Sequence, residues 1–364
     1  MDTNPAALHA FRDDCYACLY RRGDALFALA DAVLTAGAVP SPVHLSGEPV
    51  HRRGWGRLYA ALVHGRLDET GLRALLAGLP RVGGQPVYAV DCRVWSRCDA
   101  AASPERGCSY HPSRHAAGQP IVAGWSYRWR AQVGFARERR TAPLDVRRVH
   151  PNEHANAVAV AQVARLVRRL PPAGPVPLFV FDAGDDAVGL QRGLGACRAA
   201  LLVRLRSGRC CYSAPPVLPP RPKGGRPFRH GHKLVCADPT TWPTPTAERT
   251  VEDTQYGTVR IRAWAGRHPK LQDRTGPGTK GPSPWCASRC AGYPGGPTRR
   301  RCSGSGCTPR RDTPPIATYS GAPTSGARVP FGRWNTRSVA SNRPSAGTPC
   351  ACATPSRPIV GPSS

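Results

Sequence analysis

Residues 177–186 read PLFVFDAGDD, and residues 86–91 read PVYAVD. Each is a short run of large apolar residues that ends in an acid. A run of this length, rich in Val, Phe and Tyr and bounded by Pro and Gly, is the signature of a buried strand. Burial explains the apolar residues and leaves the carboxylate at the exit unexplained. How the two runs lie relative to one another therefore decides the fold.

The segment between them supplies the connection. From Ile121 to Phe135 every odd position is apolar, while Ser126, Arg128, Arg130 and Gln132 occupy even ones. That alternation predicts a half-buried antiparallel strand, bent or folded as a hairpin. A short strand, PLDVRRV (143–149), follows. Residues 152–170 predict a helix with a Val160, Val163, Val167 and Leu170 stripe, ended by Pro171 and Pro172. After strand 177–181 come a glycine-dotted helix (186–198) and a strand, AALLVRLR (199–206). The order is strand, antiparallel strands, helix, strand, helix, strand. It predicts an α/β fold with a mixed sheet and helices on its faces. A helical crossover joins parallel neighbours, so strands 86–91 and 177–181 should lie side by side. Asp91 and Asp182 would then meet at one end of the sheet, where ligands of open α/β sheets gather.

Around this core (85–206) lie three other regions. Residues 1–84 predict a helical N-terminal domain that contributes to DNA recognition. Leu8, Phe11, Cys15 and Cys18 recur at helical spacing, as do Leu26, Leu29, Ala30, Val33 and Leu34. Two more helices, GRLYAALVHGR and DETGLRALLAGL, are separated by Leu67 and a capping Asp68. HRRGWGR (51–57) is a basic loop, read equally as solvated surface or as a phosphate contact. Residues 207–271 form a basic, Pro-rich insertion with a strand pair around YGTVRIRAW (256–264).

The chain has 364 residues, a net charge of +28 and a pI near 10.5. Such a protein seeks polyanions, nucleic acid above all. No apolar run approaches the roughly 20 residues needed to cross a bilayer. The start, MDTNPAALHAFRDD, lacks the basic and apolar regions of a signal peptide, so a cytoplasmic location is expected. The 15 cysteines are scattered and odd in number, and most read as reduced thiols.

Two carboxylates on neighbouring strand ends repel unless a cation lies between them. Hard oxygen ligands point to Mg²⁺ or Mn²⁺. Two such ions about 3.5–4 Å apart can activate a water or a 3′-hydroxyl and stabilise the leaving oxygen of a phosphodiester. Either Asp taken alone is more simply a helix cap or loop acid. The pair gains weight from strand order and charge.

Beyond Leu271 the composition breaks. Residues 272–364 contain no Leu, Glu or Met and are dominated by Arg, Gly, Ser, Cys, Trp, Pro, Ala and Thr. Each of those eight has codons with G or C at the second position. A GC-rich gene read out of phase yields this mixture, so the leading reading is an out-of-frame, disordered tail. The second is a basic disordered arm, against which stand six cysteines and two tryptophans. The third is a zinc module from Cys286, Cys290, Cys302 and Cys307, whose spacing is loose for such a site.

The chain resembles the DDE transposases of bacterial insertion sequences, especially the actinobacterial group with an RNase H-like catalytic core. The resemblance runs from about Phe11 to Leu271. It is carried by FRDDCYACLYRRGDALFALADAVL, HRRGWGRLYAAL, VYAVDCRVW, SPERGCSYHPSRH, IVAGWSYRW, PLFVFDAGDD, LLVRLRSGR, GGRPFRHG, ADPTTWPTP and TQYGTVRIRAW. No single motif decides it; their order does.

The resemblance implies three metal-binding acids. By position Asp91 matches the first and Asp182 the second. The third is a Glu on a helix beyond the insertion, and here the chain departs from the pattern. No Glu follows Glu252. Asp273 and Asp312 lie in Gly/Pro-rich surroundings, and Glu252 and Asp253 belong to the insertion. Of Asp185 and Asp186, one is expected to cap the next helix. Arg204 and Arg206 are DNA-backbone contacts or plain surface charges. Lys223, Arg226, Arg229, His230 and Lys233 form a basic cluster suited to phosphate.

The implied function is DNA cleavage and strand transfer with Mg²⁺ or Mn²⁺, in a copy made defective by the missing acid. The implied partners are double-stranded DNA at element ends and target, with a homo-oligomer left open and no membrane. The alternatives are a non-catalytic DNA-binding protein that inhibits intact transposase, or a zinc-dependent nucleic-acid module.

Overall fold

The computed structural model describes residues 4–39, 41–79, 84–100, 102–110, 121–134, 141–216, 230–253 and 257–269, and the backbone of strands at 285–291 and 316–320. The chain divides into two compact units, Met1–Val82 and Gly83–Ser364.

The first unit is helical, as its periodicity predicts. It comprises α1 (Pro5–Ala17), α2 (Gly23–Thr35), α3 (Pro42–Leu45), α4 (Trp55–His64) and α5 (Glu69–Gly78). The Asn4 side chain caps α1 by accepting from the Ala6 N–H, with Pro5 in the first turn. Asp68 caps α5, accepting the N–H groups of Thr70 and Gly71 at 3.0 Å. Ala32, Leu45 and Leu58 form the core, with Leu29 and Ala36 against it. The buried face of α2 is shifted from the apolar stripe: Ala25 and Ala32 are inside, whereas Val33 and Leu34 are exposed. Cys18 is buried, yet Leu8 of the same predicted face is exposed. A unit this small has little interior, so it cannot enclose every apolar side chain.

The second unit is built on a mixed sheet. Its strands are β1 (Val87–Ser96), β2 (Gly107–Tyr110), β3 (Ile121–Val133), β4 (Thr141–Val149), β5 (Leu178–Phe181), β6 (Ala200–Leu205), β7 (Cys210–Tyr212), β8 (Lys233–Val235), β9 (Ala247–Asp253), β10 (Gly257–Pro269), β11 (Trp285–Ala291) and β12 (Ile316–Ser320). Helix α6 (Ala155–Val167) joins β4 to β5, and α7 (Ala187–Leu194) joins β5 to β6. The sheet runs β2-β3-β1-β5-β6-β12-β11-β10-β7-β8, with β4 also on β3 and β9 on β10. As expected, β1 pairs with β5 in parallel, and β5 with β6 in parallel. β3 is one continuous strand rather than a hairpin, antiparallel to both β1 and β4.

The alternation in β3 is inverted relative to its apolarity. Even residues Arg128 and Arg130 are buried, while Ile121 and Trp129 on the odd side are exposed. The reason is α6, which covers the even side. There Arg130 donates to the Gln162 carbonyl, and Gln162 Nε2 donates to the Arg128 carbonyl at 3.2 Å. Each buried arginine also faces a buried acid: Arg128 pairs with Asp185, and Arg130 lies 3.9 Å from Asp145 of β4. Buried charge is tolerated only with such partners. On the odd side, Val87, Leu178, Ala200 and Leu202 pack as one cluster with Val176 and Val180. On the opposite face, the one α6 covers, Tyr88 and Phe179 stack at 5.1 Å.

Two strands belong to the compositionally distinct stretch beyond Leu271. β12 lies antiparallel to β6, and β11 antiparallel to β12 and β10. Sheet pairing uses backbone groups, so a segment without Leu or Glu can still supply strands, here between β6 and β10. Among the described residues no helix is long and apolar enough to cross a membrane, and the cysteines are free thiols.

Candidate functional site

The register of three strand pairs fixes the site. β1 pairs with β5 from Val87↔Leu178 to Val90↔Phe181, so one further step sets Asp91 beside Asp182. β5 pairs with β6 up to Phe181↔Val203, so the same step sets Asp182 beside Arg204. On the other flank Asp91 lies opposite Trp129, and Trp129 opposite Val146. One row therefore crosses the sheet: Val146, Trp129, Asp91, Asp182, Arg204. Neighbouring strands are about 4.8 Å apart, which brings the two carboxylates to one rim.

Local hydrogen bonds hold each acid. Asp91 Oδ1 accepts its neighbour Cys92 N–H at 2.8 Å, and its Oδ2 pairs with Arg93 Nε at 3.0 Å. Asp182 is exposed at the start of a tight turn, where its Oδ1 accepts the Gly184 N–H at 2.8 Å. The turn then splits the following acids into two roles. Asp186 caps α7 by accepting from Val188 and Gly189. Asp185 turns inward and pairs with Arg128; the two side chains are 3% and 2% exposed. Rotating the Asn156 amide makes it donate to Asp185 as well, at 3.1 Å.

The electrostatics bind these groups into one neighbourhood. Burial raises the Asp185 carboxyl above its ordinary range; Arg128 opposes that shift, and the charges of Asp182 and Asp91 add to it. Burial likewise raises the Cys92 thiol, against Arg128 and with Asp185 and Asp91. Asp185 thus feels both rim acids from beneath.

The other residues singled out from sequence are dispersed. Arg204 is exposed in the row beside Asp182. Arg206 Nε donates to the Ala183 carbonyl at 3.0 Å, buttressing the turn after Asp182. Lys223, Arg226 and Arg229 lie outside the described residues. His230 sits against Tyr212 and His268, its Nδ1 2.9 Å from His268 Nε2. Lys233 is exposed at the start of β8. In the basic loop Arg53 pairs with Asp24 at 3.3 Å, and His51 is buried. Cys286 and Cys290 fall on β11, of which only backbone is described; Cys302 and Cys307 are outside the described residues.

Sequence reasoning missed Arg128 and Trp129 as members of this neighbourhood. Their alternation was legible, but the side of the strand that faces α6 was not. The two carboxylates, Asp182 exposed and Asp91 half-buried, offer hard oxygen donors on one rim and fit half of a divalent-ion site. Arg93 would have to release Asp91 for that. Among the described residues no three His, Cys, Asp or Glu side chains converge as a metal-holding group.

A mixed sheet with paired carboxylates at one strand end, on a strongly basic chain, suits a protein that handles a polyanion. Comparison with known proteins agrees: residues 14–270 match the model of the DDE superfamily endonucleases, and the chain belongs to that family. No curated protein matches it. Among solved structures, a piggyBac transposase synaptic complex with hairpin DNA is similar at a TM-score of 0.35 and 11% identity, over 68% of this chain and 50% of that one. The chain thus spans half the length of that transposase.

Proposed function

We propose that this chain is a transposase of a bacterial insertion sequence, with an RNase H-like core and an incomplete set of catalytic acids. The observation that carries the reading is the register that sets Asp91 beside Asp182 on one rim. Asp91 and Asp182 hold Mg²⁺ or Mn²⁺, and Arg204 contacts the DNA backbone beside them. Bound there, a divalent ion supplies activation of the attacking oxygen and charge neutralisation at the leaving one. Asp185 and Arg128 act from beneath, fixing the turn that aims Asp182. The partner is double-stranded DNA at element ends, drawn by the +28 charge. A cytoplasmic location is part of the reading.

The third acid is absent because no Glu follows Glu252. The family match ends at residue 270, next to the compositional break, which supports an out-of-frame tail. The copy is then defective in cutting while it still binds DNA, and the same absence favours a second reading as an inhibitor of intact transposase. Mn²⁺ titration of the purified chain tests the site. Binding should be weak in the wild type and lost in Asp91→Ala and Asp182→Ala; equal binding in all three ends the nuclease reading. Efficient Mg²⁺-dependent cleavage of cognate ends, abolished by Asp91→Ala, would refute the defect. Mixing with an intact relative separates the readings, since undiminished transposition excludes the inhibitor.

A further inference from the structure

We infer that the exposed face of β1 and β3 beside the acids is a stacking platform for unpaired bases of single-stranded DNA, with Trp129 as its innermost ring. The inference rests on the reading of Asp91 and Asp182 as the site of phosphodiester chemistry. It concerns where the bases next to that phosphate go.

The register puts Asp91, Arg93 and Trp95 of β1 opposite Trp129, Tyr127 and Trp125 of β3. Trp95 is 55% exposed and Trp129 38% exposed. Three tryptophans and a tyrosine thus line a face that other strands of the same sheet bury. The outer three rings interlock: Trp95 meets Trp125 edge-on at 5.9 Å and Tyr127 at 6.5 Å. Arg148 lies over Trp125 at 5.6 Å, and Arg97 over Trp95 at 6.0 Å. Trp129 stands apart from that cluster, directly across from Asp91.

The chemistry selects the occupant. Every base has a π-face, and an aromatic ring binds it without regard to sequence. In a duplex those faces are covered by neighbouring pairs, so only unpaired bases can use the platform. Trp129, Tyr127 and Trp125 step along β3 at about 6.8 Å, twice the strand rise. Stacked DNA rises about 3.4 Å per base, so this spacing suits a chain whose bases are splayed apart. Arginines border the face. Each has an acid: Arg93 pairs with Asp91, Arg97 with Asp99 at 3.2 Å, and Arg148 with Glu105 at 2.9 Å. These are exposed pairs of little net worth, which a phosphate can replace. A chain of net charge +28 favours a polyanion there over a second copy of itself.

The test is fluorescence anisotropy with the full chain, a labelled oligothymidine and a mixed-sequence duplex of equal length, with divalent ions chelated. Trp129→Ala should lower the ratio of single-strand to duplex affinity about tenfold, and Trp129→Phe should largely restore it. Oligothymidine should also quench the tryptophan emission of the wild type. If Trp129→Ala does not fold, Trp95→Ala carries the same comparison at a more exposed position. An unchanged ratio, or a Phe variant no better than the Ala variant, overturns the inference while the nuclease reading stands. Binding of neither DNA ends both. A wild-type dimer that Trp129→Ala converts to monomer in sedimentation also overturns it, because the face would then be a contact between copies.

Discussion

Arg128 and Asp185 meet across 57 residues of sequence, and neither position announces the other. Arg128 sits between aromatic neighbours on an alternating strand, where chemistry alone argues for solvent. Asp91 and Asp182 were legible because each closes an apolar run; Arg128 was not, because its partner enters only when the turn after β5 folds over it. The cap at Asp186 was legible as one of two candidates, and geometry separated them. His268 is a second case of chemistry set by a distant partner. Burial first, then His230 and Arg267, lowers its pKa. The unfolded chain then takes up a proton before the folded one does. The stability this neutral histidine confers is present above the ordinary value of about 6.5 and is lost as pH falls through its folded value. Denaturant midpoints of the wild type should therefore drop relative to His268→Gln on acidification from about pH 7 to about pH 5. Parallel curves would mean that His268 titrates alike in both states.

β3 is the element on which the site depends. It runs 13 residues, pairs with β1, β2 and β4, and carries buried arginines on one side and the half-buried Trp125 and exposed Trp129 on the other. Gly124 allows its close approach to β1: a Cβ there would lie 2.1 Å from the Trp95 carbonyl oxygen. Gly124→Ala must push the strand ends apart. The expected loss is about 1–3 kcal/mol, as for an overpacked site, with Trp95 and Trp125 separating. Denaturation followed by tryptophan emission measures both, and an unchanged midpoint would mean that β1 can slide freely. The sequence showed β3 as a strand of the right length. It left open whether that strand was bent or folded as a hairpin, because alternation is the same whether the chain runs on or turns back.

Across the whole molecule, the net charge of +28 favours a polyanionic partner. If the site engages about six phosphates or more, duplex affinity should fall about a thousandfold between about 50 and about 200 mM salt. A salt titration at constant pH checks this, and a flat dependence would remove DNA as the natural ligand. Neutralising Arg204 by Arg204→Ala should reduce the slope by about one phosphate.

Local information was enough for the elements of the core and for the parallel neighbours β1 and β5. Apolar runs, helical stripes and the right order of connections are written in short windows of residues. So was the meeting of Asp91 with Asp182, since strand order and a shared terminal acid imply it. Folding alone settled which side of β3 faces α6, which acid turns inward, and that Trp129 and Arg204 flank the carboxylates. The physical reason is that a strand's period of two marks a pair of faces without saying which one is covered. That choice belongs to the helix that lands on it, and to buried ion pairs between residues far apart in the chain.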